Sequence, residues 1–226
     1  MTKLKKKTKQ TLTQDGLRFR SKKDLDLYLK LKALQEEGKI KSFRVPSVSE
    51  GEEEPKDTSY AIDQYTFRKI SETDFYFFLI EQQDKGLIEE FQLVQRNKES
   101  KYKAKKCIID GHEFDSHIEA KFFIYLRERL LKGEITNIRL HPKYVLQEKF
   151  KKNGRTIRSI TYISDFEVHY RNGKVAVYDV KGNETNDFKI KKKLFDYKYR
   201  DMELICVNYS KKQQCWIDIH TDKPID

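Results

Sequence analysis

A chain of 226 residues with 37% apolar and 12% aromatic residues can bury a full core and a smaller one, which excludes a merely disordered basic protein. Its 47 Lys and Arg against 36 Asp and Glu, a formal +11, favour a polyanionic partner. Nucleic acid is expected before an anionic membrane: no stretch approaches the roughly 18 uninterrupted apolar residues of a membrane span, and no apolar run follows the N-terminal lysines as a signal peptide requires.

The expected compartment is therefore the cytoplasm. Cys107, Cys206 and Cys215 are odd in number, widely spaced and without a Cys-x-x-Cys pair, so neither a disulfide framework nor a thiolate zinc site is expected. Cys206 and Cys215 read as core residues of strands. His112 and His117, near Cys107, match no common zinc spacing.

Residues 1–10 hold Lys3, Lys5, Lys6, Lys7 and Lys9, a basic tail. An internal repeat follows. Copy one, residues 11–46, runs from Asp15-Gly16 through Phe19, Asp24, Tyr28, Leu31, Gly38, Ile40 and Phe43. A later copy runs from Asp110-Gly111 through Phe114, Glu119, Phe123, Leu126, Gly133, Ile135 and Ile138 at the same offsets. Copy two, residues 61–98, repeats the pattern less strictly with Phe67, Glu72, Tyr76, Leu79, Gly86, Ile88 and Phe91. Each copy predicts a short extended start, an amphipathic helix of about four turns, a glycine past its end and an apolar return strand. Between copies one and two, residues 47–60 lack apolar periodicity and read as an acidic linker. A lysine-dense break over 96–106 leads into a last domain, 101–226.

In that domain the spacing predicts a helix over 116–132, a strand over 143–150, a turn at Lys152-Asn153-Gly154, two strands holding Asp165 and Asp179, a helix over 185–199, a strand over 203–208 and a last strand near 215–219. This αβββαβ order is an α/β mixed-sheet core, with the two earlier copies forming an N-terminal α+β region. Ser116 and Glu119 fit a capping box, which alone would account for Glu119. Glu119 is also in phase with Phe123, Leu126 and Leu130, on the stripe that faces the sheet, where an unpartnered carboxylate is costly.

Asp165 falls within the strand-like run 160–170, and Asp179 within 174–181, which Gly182 ends. The segment Arg171-Asn172-Gly173-Lys174 between them carries the Asn-Gly signal of a hairpin, so the two aspartates can meet. Alternation places Asp179 and Lys181 on one face. Convergent carboxylates suit a hard cation such as magnesium against a phosphate, and an ammonium beside it can orient the attacking water or offset transition-state charge. Asp24 and Glu72 hold the matching positions of copies one and two, but no such hairpin follows either. The two copies read as an accessory region that packs on the last domain, binds DNA or pairs subunits.

These residues resemble the PD-(D/E)xK nuclease superfamily, with its restriction-endonuclease-like core. Within it they are similar to small prophage-encoded endonuclease-like proteins related to Holliday junction resolvases and the nuclease subunit of Tn7-type transposons. The matching stretches are 114–120, 140–147, 160–166, 177–182 and 188–197; the motif's proline before the first aspartate is Ser164 here. The resemblance implies that Glu119, Asp165 and Asp179 ligate Mg2+ or Mn2+ with the Val180 carbonyl as a main-chain ligand, and that Lys181 positions the water. It further implies that Lys189, Lys192 and Lys193, on the helix laid beside the scissile strand, contact phosphate. The expectation is a metal-dependent DNA endonuclease of phage or prophage origin acting in recombination, repair or DNA processing. The alternative is an architectural DNA-binding protein that keeps the fold without cleavage. RNA is disfavoured, since no RNP-type aromatic motif is present. His141, beside Pro142, reads as a loop histidine at the rim.

Overall fold

The computed structural model describes residues 12–49, 58–94, 106–181 and 184–225. The basic tail, the body of the acidic linker, most of the lysine-dense break and Gly182 lie outside the described residues. The chain divides into two compact units, Met1–Glu99 and Ser100–Asp226.

In the first unit, β1 (Leu12–Gln14) and β2 (Leu17–Phe19) form a hairpin that leads into α1 (Lys22–Glu36) and β3 (Phe43–Arg44). After β4 (Ser47–Ser49), β5 (Tyr60–Ile62) and β6 (Tyr65–Phe67) form a second hairpin, followed by a 3-10 turn, Ile70–Glu72, then α2 (Asp74–Asp84) and β7 (Phe91–Leu93). The second unit opens the same way, with β8 (Cys107–Ile109), β9 (His112–Phe114), α3 (His117–Leu131) and β10 (Ile135–Leu140).

The repeat is thus a hairpin, a helix and a strand, and its extended start is two strands rather than one. Asp15, Asp63 and Asp110 occupy the hairpin turns at φ of 52°, 49° and 47°, a left-handed conformation that aspartate tolerates better than most residues. Ser21 caps α1 and Ser116 caps α3. Copy two has Lys69 at that position, where no side chain caps, and its helix is 11 residues against 15 in the others.

Copies one and two share one core, built around Phe19, Leu31, Ile62 and Tyr76. The expected linker is narrower than 47–60: Ser47–Ser49 pairs with β2, and Tyr60 begins β5.

In the second unit, β11 (Lys143–Gln147) pairs with β14 (Ile160–Ile163), and between them β12 (Phe150–Lys152) and β13 (Arg155–Ile157) form an exposed hairpin. β15 (Phe166–Tyr170) and β16 (Val175–Val180) are joined by the Asn172-Gly173 turn. α4 (Asn186–Lys198) then crosses to β17 (Glu203–Ser210), and β18 (Cys215–Asp218) and β19 (Lys223–Pro224) follow.

The main sheet has the order β10-β15-β16-β17-β18-β19, parallel only between β16 and β17. This is a mixed α/β architecture. Phe122 of α3 packs on Phe166, Tyr178 and Trp216 on one face of the sheet. On the other face Phe188 and Phe195 of α4 pack with Val177, Leu204 and Cys206.

Two strand expectations change. The first core strand is β10; the stretch expected as one strand over 143–150 instead forms β11 and part of the exposed hairpin. The run 160–170 also breaks at Ser164–Asp165, because its first half pairs with β11 and its second with β10 and β16. Asp165 therefore sits at a strand junction, where its carbonyl accepts from His141 N–H at 3.0 Å and Ser164 N–H donates to the Pro142 carbonyl at 3.2 Å. Among the described residues no helix is long and apolar enough to cross a membrane.

Candidate active site

Glu119 occupies the first turn of α3, whose N-cap Ser116 hydroxyl accepts the Glu119 N–H at 3.2 Å. Its Oε2 accepts from the N–H of Asp115, the residue before the N-cap, at 3.1 Å, so only the Ser116 half of the capping box forms. Its Oε1 is buried without a hydrogen-bond partner and lies 3.8 Å from His141 Nε2. A residue serving only as a cap would not bury its second oxygen unpaired.

The aspartates come from the ends of two neighbouring strands. Asp165, at the entry to β15, accepts the Val180 N–H on Oδ2 at 2.7 Å, so Val180 is bound to the cluster through its N–H. Asp179, 1% exposed, lies near the carboxyl end of β16, the end of the parallel β16–β17 pair where ligands collect in open α/β sheets. Tyr162 of β14 donates a short hydrogen bond to Asp179 Oδ2. Lys181 Nζ stands 2.7 Å from Asp179 Oδ1 as an ion pair, the one polar contact that oxygen makes among the described residues. The Lys181 N–H continues the parallel ladder to Val207 O at 3.0 Å, and its ammonium lies 5.1 Å from the Phe188 ring.

Electrostatics follow from this packing. Burial, reinforced by the nearby charges of Asp115 and Asp179, pushes the Glu119 carboxyl up to about 7. Burial also raises Asp165, and the like charges of Asp179 and Glu119 add to it. Burial alone would lower the Lys181 ammonium, but Asp179 and Asp165 outweigh it and hold Lys181 above the ordinary lysine value. Lys181 is a fixed cation beside acids that resist ionising together.

Among the described residues three buried side-chain oxygens lack a hydrogen-bond partner: Glu119 Oε1, Asp179 Oδ1 and Ser164 Oγ. Two belong to this cluster, and the third precedes Asp165. Glu167, equally buried, shows what a structural carboxylate looks like: Tyr144 donates to it at 2.5 Å, Arg139 at 2.7 Å, and His169 lies at 2.9 Å. Asp24 of copy one is likewise satisfied, by Tyr60 at 2.6 Å and Ser21 at 2.8 Å, and Glu72 accepts the Arg68 N–H at 2.8 Å.

The structure thus brings together Glu119, Asp165, Asp179 and Lys181 and adds two residues that the sequence does not single out as members. His141 is not a bystander at the rim: Glu119, His141 and Asp165 each place a ligand-type atom within 4.8 Å of the others. Its φ of 49° turns the chain between β10 and β11, and the exposed ring keeps Nε2 3.8 Å from Glu119 Oε1. Tyr162 reads in the sequence only as a strand residue. Three convergent acids and an adjacent imidazole form a donor set that fits a hard divalent cation.

Of the three lysines expected at phosphate, Lys189 and Lys193 are exposed on α4. Lys192 is not: its ammonium donates to the Leu204 carbonyl at 3.0 Å and pairs with Asp196 at 3.4 Å, which ties α4 to β17.

One family matches the chain, the one described as "Protein of unknown function (DUF1064)", over residues 99–214, just over half of the sequence. No curated protein and no solved structure matches.

Proposed function

We propose, for a chain that belongs to the DUF1064 family, that the second unit is a divalent-metal-dependent DNA endonuclease with a PD-(D/E)xK-type core. The order α3, β10, β15, β16, α4, β17 supports that core, with acids at the helix start and at two strand ends and a lysine two residues past the last. The observation that carries the reading is the buried Glu119 Oε1, which no donor meets, in one cluster with Asp165 and with the Asp179–Lys181 ion pair. Burying such an oxygen without compensation costs on the order of 1–3 kcal/mol, more when it is charged. A cation satisfies it.

Glu119, Asp165 and Asp179 would hold Mg2+ or Mn2+, with the Val180 carbonyl as a main-chain ligand. When bound, the ion polarises the phosphate and lowers the pKa of a coordinated water. Lys181, held protonated by Asp179 and Asp165, acts as a cation that orients the nucleophile and offsets charge developing on the phosphate oxygens, rather than as a base. Tyr162 fixes the Asp179 carboxylate through Oδ2 and leaves Oδ1 facing Lys181, where it would be free to take a cation as well. The exposed lysines of α4 and the exposed basic β12–β13 hairpin are the surfaces for the phosphate backbone.

The test is cleavage of supercoiled, linear, single-stranded and four-way-junction DNA in Mg2+, Mn2+ and Ca2+. Cleavage in Mn2+ that Asp179→Asn and Lys181→Ala both abolish is the expected result. Binding with no cleavage of any substrate would leave an architectural DNA-binding protein.

A further inference from the structure

Beyond the carboxylate cluster, Glu184, Cys206 and His220 bring a carboxylate oxygen, a thiol sulfur and an imidazole nitrogen within 4.8 Å of one another. They come from three separate stretches: Glu184 just before the α4 N-cap Thr185, Cys206 in β17, and His220 in the turn after β18. Cys206 is fully buried, Glu184 is half-buried, and the His220 ring is open to solvent on one side.

His220 Nε2 lies 2.8 Å from Glu184 Oε1, and its Nδ1 faces Asp218 Oδ1 at 3.5 Å. Asp218 is itself anchored by the His220 N–H at 2.9 Å and the Thr221 hydroxyl at 3.2 Å. A carboxylate behind the far nitrogen of an imidazole is the support that fixes ring orientation in metal sites.

We propose that Glu184, Cys206 and His220 form a second cation site, one for zinc, with Asp218 orienting the imidazole. A tetrahedral zinc ion with bonds of about 2.0–2.3 Å sets its ligand atoms about 3.3–3.8 Å apart, and the three atoms here all lie within 4.8 Å of one another, with His220 Nε2 and Glu184 Oε1 at 2.8 Å. Sulfur, nitrogen and oxygen together select a borderline-soft ion, whereas the all-oxygen set of Glu119, Asp165 and Asp179 selects a hard one. On binding, the Cys206 thiol gives its proton to solvent and the sulfur takes its place on zinc; the open side of His220 leaves the fourth position to water.

The ligands are far apart in sequence and Cys206 has no cysteine partner at short spacing, which is why no zinc motif is visible in the chain. Glu184 follows Lys181 by three residues, and Cys206 is the register partner of Asp179. The ion therefore braces the segment that carries the lysine of the first site.

Cobalt provides the test, because thiolate ligation gives Co2+ a near-ultraviolet charge-transfer band that oxygen ligands do not. The full chain, stripped with chelator and saturated with Mg2+, is titrated with Co2+. The expected band saturates at a single equivalent, is displaced by Zn2+, persists in Asp165→Asn and disappears in Cys206→Ser. Asp218→Asn should weaken binding about 10–100-fold, and the near-isosteric Glu184→Gln and the exposed His220→Gln should weaken it at least as much without unfolding the chain. No band in the wild type, or the same band in Cys206→Ser, overturns the proposal.

Discussion

Glu119 and Glu167 are both buried glutamates, and their oxygens separate them. Those of Glu167 meet a tyrosine, an arginine and a histidine, and together these hold its carboxyl low despite burial, whereas one oxygen of Glu119 meets no donor. Glu119 is pushed from 4.5 up to about 7, so between those values the folded chain keeps a proton that the unfolded chain has released. Its contribution to stability is complete below about pH 4.5 and is lost as pH rises through about 7. In chelator, urea unfolding of the wild type should therefore weaken across that window by up to about 3 kcal/mol, at 1.36 kcal/mol per pKa unit. Glu119→Gln and Asp165→Asn, whose parent groups shift the same way, should each flatten the profile in part. Adding Mn2+ at pH about 8 should restabilise the wild type but not Glu119→Gln. A wild-type profile as flat as that of the variant would remove the buried ionisable cluster from consideration. Tyr162→Phe tests the neighbouring acid. Deleting the hydroxyl leaves Asp179 Oδ2 without its donor and should cost about 1–3 kcal/mol in the same urea measurement.

At the scale of elements, basic residues divide by what they touch. Lys151, Lys152 and Arg155 of the β12–β13 hairpin are exposed, as are Lys149 and Arg158 beside them. The triple variant Lys151→Ala, Lys152→Ala and Arg155→Ala should lower duplex affinity in Ca2+ and reduce the salt slope by up to about 0.9 for each phosphate that is no longer neutralised, with unfolding stability within about 0.5 kcal/mol of wild type. Lys192→Ala should do the reverse, losing on the order of 1 kcal/mol of stability through the Leu204 carbonyl with little change in affinity. Fluorescence anisotropy beside urea unfolding separates the two outcomes. Gly133, at φ 72° after α3, would set an added Cβ 3.0 Å from the Arg171 guanidinium, so Gly133→Ala should cost about 1 kcal/mol or more. Helices α3 and α4, the Asn172-Gly173 hairpin and the repeat were legible because each rests on local periodicity, capping or turn chemistry. The junction at Ser164–Asp165 was not, since alternation over 160–170 reports which face a residue takes but not which strand it pairs with. His141 reaches the cluster through a positive φ that no spacing betrays, and the Tyr162 hydroxyl matters only through a residue 17 positions away.

Across the whole molecule the positive charge is unevenly shared. Residues 100–226 carry 27 Lys and Arg against 18 Asp and Glu, or +9, which leaves +2 of the total +11 for residues 1–99. Copies one and two keep the repeat's hairpin, helix and first-turn acid, yet Asp24 is hydrogen-bonded at both oxygens. The first unit thus has, among its described residues, no buried carboxylate oxygen left without a donor, and residues 1–99 carry little excess charge. Counterion release makes this difference measurable, because each neutralised phosphate adds to the dependence of affinity on salt. Fragments 1–99 and 100–226 should therefore differ when titrated against fluorescent duplex in Ca2+ at several salt concentrations. The second fragment should bind with a steep slope close to that of the full chain. The first should bind at least about tenfold more weakly, with a slope near zero. Equal binding by the first fragment would make copies one and two a DNA-binding region in their own right, and would move the source of affinity away from the unit that holds the carboxylates.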